Sequence, residues 1–177
     1  MTDSPVWSGE LGPQDAAVVV VDLDSTLADT RHRHHRTPTE DPTQTWNDYA
    51  MHCADDTPMT ATVKLVRMLD QAGYDIHIVS FRDIGALELT KVWLARHEVP
   101  YHSLTLKGVG VEDGTLGTPD DYKALAVQKL LDEGRYVALV LDDWPGVRKA
   151  VWEKCKVPVL IVNPCYQEQW PPVATVL

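Results

Sequence analysis

The chain has 177 residues, enough for one domain, and 44% of them are hydrophobic, a normal share for a packed core. Its net charge of −10 excludes a protein that coats nucleic acid through bulk positive charge. No stretch approaches the roughly 20 apolar residues of a membrane span, and Met1 to Pro5 lacks the basic-then-apolar order of a signal peptide, so a cytoplasmic protein is expected. Cys53, Cys155 and Cys165 form no motif and fit reduced thiols.

Residues 1–15 hold Pro5, Gly9, Gly12 and Pro13 without periodicity and read as a flexible arm. A first strand follows at about 16–22. Val18 to Val21 shows no polar alternation, which predicts a strand buried on both faces, as in a parallel sheet. Asp22 and Asp24 then fall at its carboxyl end, where open α/β sheets place their ligand crevice. Residues 29–57 are polar and carry the run Arg31 to Arg36. A structureless loop of that length is uncommon, so a small cap is expected, with one short helix over Trp46–Cys53.

Thr57 as N-cap and Pro58 in the first turn predict a helix over 58–72, with Val63, Val66 and Leu69 as its apolar stripe and Gly73 as its stop. Tyr74 to Ser80 reads as a second strand, 84–97 as a helix, and Ser103 to Leu106 as a third strand. Lys107 to Pro119 is glycine-rich and reads as a loop. A helix from about Asp120 to Glu133 has Leu125, Leu130 and Leu131 assigned inward. Tyr136 to Leu141 is a buried strand ending at Asp142-Asp143. A helix from Pro145 to about Lys154 and a strand over 157–162 complete the domain. Trp144 and Trp152 are assigned to the core or its edge, and residues 163–177 to an irregular tail. Strands alternating with helices predict a Rossmann-like α/β fold, three layers around a central parallel sheet, over residues 16–162.

Such a sheet brings Asp22, Asp24, Ser80, Arg82, Lys123, Asp142 and Asp143 toward one edge. Asp22 and Asp142 are hard oxygen ligands of the kind Mg²⁺ prefers. A metal and a lysine would neutralise the charge that otherwise keeps a carboxylate away from a phosphate, and Ser80 and Arg82 would hold the phosphate oxygens. One carboxylate can then attack phosphorus while a second acid serves the leaving oxygen and the water. On the residues alone, Arg82 reads equally as a surface ion pair with Asp83 or Glu88, and Lys123 has Lys107 and Lys129 as rivals. The Arg31–Arg36 run reads as a solvated loop or as a phosphate-guiding lid. His32, His34 and His35 lack a Cys/His partner at zinc spacing. Trp46 and Tyr49 suit either a packed helix face or stacking on a base.

Asp22-Leu23-Asp24-Ser25-Thr26 resembles the DxDx[TV] motif of the haloacid dehalogenase superfamily. Ser80, Lys123 and Asp142-Asp143 resemble its later motifs, in order. The resemblance implies Asp22 as nucleophile and metal ligand, and Asp24 as general acid/base with its backbone carbonyl on the metal. It implies Thr26 and Ser80 at the phosphate, Lys123 as the neutralising cation, and Mg²⁺ held by Asp22, Asp24, Asp142 and Asp143. A closer similarity is to the phosphatase half of bacteriophage-type polynucleotide kinase, whose second motif is Ser-Gly-Arg. Here it is Ser80-Phe81-Arg82, and Ser25 likewise stands at the usual glycine of the first motif. No phosphate-binding loop of the kinase type is present. The expectation is a Mg²⁺-dependent phosphomonoesterase on a nucleotide-type substrate, foremost a polynucleotide 3′-phosphate. A deoxynucleoside monophosphate is the alternative, and a non-catalytic nucleotide-binding protein is the rival from another class. No membrane or protein partner is expected.

Overall fold

The computed structural model describes residues 16–108 and 117–162. The arm, the tail and most of the glycine-rich loop read from the sequence lie outside the described residues.

Five parallel strands form the central sheet, in the order β5-β4-β1-β6-β7. They are β1 (Val18–Val21), β4 (Asp75–Asp83), β5 (Ser103–Lys107), β6 (Val137–Asp142) and β7 (Val159–Ile161). Four successive valines make β1 the central strand, and all four are buried. Strand alternation sends Val18 and Val20 to one face and Val19 and Val21 to the other. The first face packs on α4 (Pro119–Asp132) and α5 (Pro145–Cys155) through Ala124, Val127, Val147 and Val151. The second packs on α2 (Thr60–Gln71) and α3 (Leu87–Arg96) through Val63, Val66, Trp93 and Leu94. The three-layer α/β fold follows from that division.

The chain leaves β1 toward β4 on one side and later crosses to β6 on the other. The carboxyl end of β1 is therefore a topological switch point, the usual place for a crevice in such sheets.

Between β1 and α2, the chain folds as β2 (Ala28–Asp29), a 3₁₀ turn at Arg31–Arg36, α1 (Trp46–Met51), a second 3₁₀ turn at Cys53–Asp55 and β3 (Thr57–Pro58). β2 and β3 pair antiparallel, Ala28 with Pro58 and Asp29 with Thr57. This two-residue clasp corrects the expectation that Thr57 caps a helix beginning at Pro58. The pairing takes both residues, and α2 starts at Thr60 after Met59. β4 also runs three residues past Ser80, to Asp83. On α4 the buried face is set by Tyr122, Lys123, Ala124, Val127 and Leu130, which leaves Leu125 on the outer side, not inward. Trp144 and Trp152 are likewise exposed and not core residues.

Candidate active site

Asp22 follows β1 directly, and its backbone N–H donates to the Leu141 carbonyl of β6 at 2.9 Å. That bond sets Asp22 beside Asp142, the last residue of β6. The chain then turns sharply. Leu27 and Ala28 both donate to the Leu23 carbonyl at 2.9 Å, and Ser25 donates to Ala28 at 2.8 Å. Ser25 takes φ +65°, a left-handed conformation that glycine adopts without cost. The glycine usual in the resembling motif has its physical reason here.

Lys123 enters from α4, whose start is fixed by Thr118. The Thr118 Oγ1 accepts from the Asp121 N–H at 3.2 Å, and the Asp121 carboxylate accepts back from the Thr118 N–H at 3.2 Å, a reciprocal capping box. Just over one turn later the buried Lys123 ammonium lies 2.9 Å from Asp22 Oδ1 and 2.7 Å from Asp142 Oδ2. Asp142 Oδ1 accepts from the Trp144 N–H at 2.9 Å. Thr26 Oγ1 donates to Asp143 Oδ1 at 3.5 Å, and Ser80 Oγ accepts from the Arg82 N–H at 3.2 Å.

One ammonium thus faces three carboxylates. Oxygens of Asp22, Asp142 and Asp143 lie within 4.8 Å of one another. Burial, together with the charges of Asp142 and Asp143 and against the pull of Lys123, raises the Asp22 carboxyl well above its ordinary range. Burial and the Asp142 charge push Asp143 up to about 6. Lys123 goes the other way: burial opposes its charge, but Asp22 and Asp142 outweigh burial and hold the proton firmly. An oxygen-only donor set with surplus negative charge fits a divalent cation. The side chain of Asp24 is outside this trio.

Asp24 belongs to a second charge cluster. Arg33 donates to its Oδ1 at 2.5 Å, and Arg82 donates to Oδ1 at 2.6 Å and to Oδ2 at 3.2 Å. Both guanidiniums continue to Asp56, with Arg33 Nε at 2.7 Å from Oδ1 and Arg82 at 3.1 Å from Oδ2. Arg82 also donates to Thr90 Oγ1 at 3.0 Å. Two buried arginines and two carboxylates balance, which is the condition for keeping such charges out of water. Burial alone would raise the Asp24 carboxyl, but Arg82 and then Arg33 overcome it and hold it at about 2. Arg82 is therefore engaged on Asp24 and Asp56, with neither Asp83 nor Glu88 as its ion-pair partner among the described residues. Arg33 is the one buried member of the Arg31–Arg36 run. Its guanidinium lies 4.0 Å above the Tyr49 ring.

Reading the sequence missed Arg33 and Asp56 as site residues. A basic run gives no sign of which arginine turns inward. Asp56 meets its partners Arg33 and Arg82 across separations of 23 and 26 residues, only after the insert has closed.

A cavity of about 420 Å³ opens over both clusters. Asp22, Asp24, Ser80, Arg82, Lys123 and Asp143 line it, together with Trp46, Tyr49, Ala50, Phe81, Asp83 and Pro119. Its dimensions are those of a small-molecule site.

No family model matches the chain, and no curated protein does. Among solved structures, the chain is similar to one chain of a Pnkp1/Rnl/Hen1 complex at a TM-score of 0.68 and 18% identity, covering 92% of this chain and 50% of that one. A haloacid dehalogenase-like family hydrolase from Streptococcus pneumoniae aligns at a TM-score of 0.55 and 14% identity over 82% of this chain and 84% of that one. The fold is haloacid dehalogenase-like. A class C acid phosphatase from Bacillus anthracis shares it at a TM-score of 0.56 and 20% identity, over 76% of this chain and 54% of that one. The chain spans about half the length of the chains from the Pnkp1/Rnl/Hen1 complex that it matches. In this haloacid dehalogenase-like frame the acids, Ser80 and Lys123 meet at the carboxyl edge of the sheet, beneath α1.

Proposed function

We propose that the protein is a metal-dependent phosphomonoesterase working through an aspartyl-phosphate, on a nucleotide-type substrate and foremost a polynucleotide 3′-phosphate. The observation that carries the reading is the single lysine shared by Asp22 and Asp142 at the cavity floor, beside a third acid. The nucleic-acid part draws on the similarity to the Pnkp1/Rnl/Hen1 complex and on the Ser80-Phe81-Arg82 stretch.

In this reading Asp22, Asp142 and Asp143 hold Mg²⁺, the Asp24 backbone carbonyl adds to the set, and the ion supplies charge neutralisation at the phosphate. Asp22 attacks phosphorus, and the bond from phosphorus to the leaving oxygen breaks. Lys123 neutralises charge on Asp22 and the phosphoryl group, and Thr26 and Ser80 donate to its oxygens. Asp24 gives a proton to the leaving alcohol. It then takes one from water as the water attacks the aspartyl-phosphate, which releases phosphate and restores Asp22. In the free protein Asp24 is ionised under Arg82 and Arg33. Its acid half-step therefore requires that Asp24 first take up a proton, as the substrate's negative charge draws Arg82 and Arg33 off it.

The test is phosphate release at neutral pH, with Mg²⁺ and with EDTA. The substrates are 3′- and 5′-phosphorylated oligonucleotides, deoxynucleoside monophosphates and sugar phosphates. Metal-dependent release, fastest from the 3′-phosphorylated oligonucleotide, is expected. Saturable nucleotide binding without release would contradict it and favour a binding protein. The net charge of −10 favours a second reading, a free deoxynucleotide as substrate. Salt separates the two: activity on an oligonucleotide end falls steeply with ionic strength, and activity on a mononucleotide much less.

A further inference from the structure

We infer that the outer half of the cavity is a stacking slot for the nucleobase next to the scissile phosphate, with Trp46 and Phe81 as its specificity-determining rings. This rests on the phosphatase reading and extends it to the part of the substrate that does not react.

The two halves of the cavity differ in chemistry. A phosphoryl group and its metal need only the floor, where Asp22, Ser80, Arg82 and Lys123 are all buried. The rest of the 420 Å³ is lined by Trp46, Tyr49, Ala50, Phe81 and Pro119, with Asp24, Asp83 and Asp143 as further polar lining. Trp46 is 51% exposed, which sets it at the mouth.

Both rings are held in place. The Trp46 ring meets Tyr49 edge-to-face at 5.8 Å, and Tyr49 is in turn covered by Arg33. The Phe81 ring meets Tyr122 edge-to-face at 5.6 Å, and the Lys107 ammonium lies 5.2 Å from it. Phe81 sits between Ser80 and Arg82 on β4, so the ring is tied to the residues of the floor. Trp46 comes from α1 of the insert, so the slot joins the insert to the sheet. A Trp ring and a Phe ring suit a planar π-system, which a nucleobase provides whatever its sequence, and the Lys107 ammonium beside Phe81 holds that ring by a cation–π contact.

The experiment compares kcat/KM for a nucleoside 3′-phosphate, the same sugar phosphate without its base, and phenyl phosphate. The wild type should prefer the nucleotide over the abasic ester by about tenfold or more. Trp46→Ala and Phe81→Ala should reduce that ratio to within about threefold, mainly through KM, and Phe81→Tyr should retain it. Thermal unfolding identifies any variant that fails to fold, and Trp46→Leu and Phe81→Leu, which keep apolar bulk without a π-face, then take its place. An abasic ester handled as well as the nucleotide, or variants that keep the preference, would overturn the inference. Equal use of phenyl phosphate would assign the slot to a bare aryl ring and overturn it as well. If nothing is hydrolysed, the phosphatase reading fails on its own. Calorimetric affinities for the nucleotide and the abasic ester still decide the slot, and equal affinities overturn it.

Discussion

Arg33 holds three things together: the Asp24 carboxylate, the Asp56 carboxylate and the Tyr49 ring. Its side chain is 1% exposed, so nothing from solvent replaces it. Arg33→Ala leaves the Asp24 and Asp56 carboxylates on Arg82, with the His32 ring 2.9 Å from Asp56 as a further contact, and urea unfolding should show a loss of about 3–5 kcal/mol. Arg33→Lys should not restore it, because a single ammonium cannot bridge both acids as a guanidinium fork does. A loss below about 1 kcal/mol would mean that the cluster is solvent-compensated. Asp143 behaves in the opposite sense to Asp24. Burial and Asp142 raise it to about 6, so below that pH it holds a proton and withdraws one oxygen from the acid trio. Divalent metal affinity, read by calorimetry, should therefore weaken about tenfold between pH 7.5 and pH 5. Affinity independent of pH would contradict a role for Asp143 in holding a metal.

At the scale of elements, what the sequence makes plain is what local pattern decides. Four valines followed by Asp22 specify a buried strand that ends at an acid, and β6 repeats the form with Asp142. The helix carrying Lys123 is also legible, although it starts at Pro119, one residue before the expected Asp120, with Thr118 as its N-cap. Thr118→Ala should cost about 1 kcal/mol in thermal unfolding, with a readout in activity because the same helix positions Lys123. No change in either would show that α4 is fixed by its packing on β1 and α5 alone. What local pattern leaves open is where tertiary pairing wins. Thr57 and Pro58 have the composition of a helix start, yet the clasp with Ala28 and Asp29 closes the insert and claims them. Leu125 has the hydrophobicity of a core residue, but it lies off the arc defined by Tyr122, Ala124 and Val127.

On the scale of the whole molecule, the parallel sheet turns motifs scattered over some 120 positions into one crevice. Alternating strands and helices announce the sheet, and its carboxyl edge then collects Asp22, Ser80 and Asp142 without further information. The insert is less legible, because its closure rests on Asp56 and Arg33, which pair across the chain. It brings Trp46 and Tyr49 over the acids and adds to the apolar lining that Phe81 and Pro119 supply from the sheet and α4. The central claim is that Asp22, at the floor of this crevice, attacks phosphorus. The most direct measurement is acid-quenched peptide mass analysis of wild-type protein and Asp22→Asn after a single turnover with a 3′-phosphorylated oligonucleotide and Mg²⁺. The account predicts one phosphoryl group on the wild-type peptide holding Asp22, none in the variant, and no phosphate release from a variant that unfolds like the wild type. Phosphate release by Asp22→Asn at the wild-type rate, or a phosphoryl group on another residue, would contradict it.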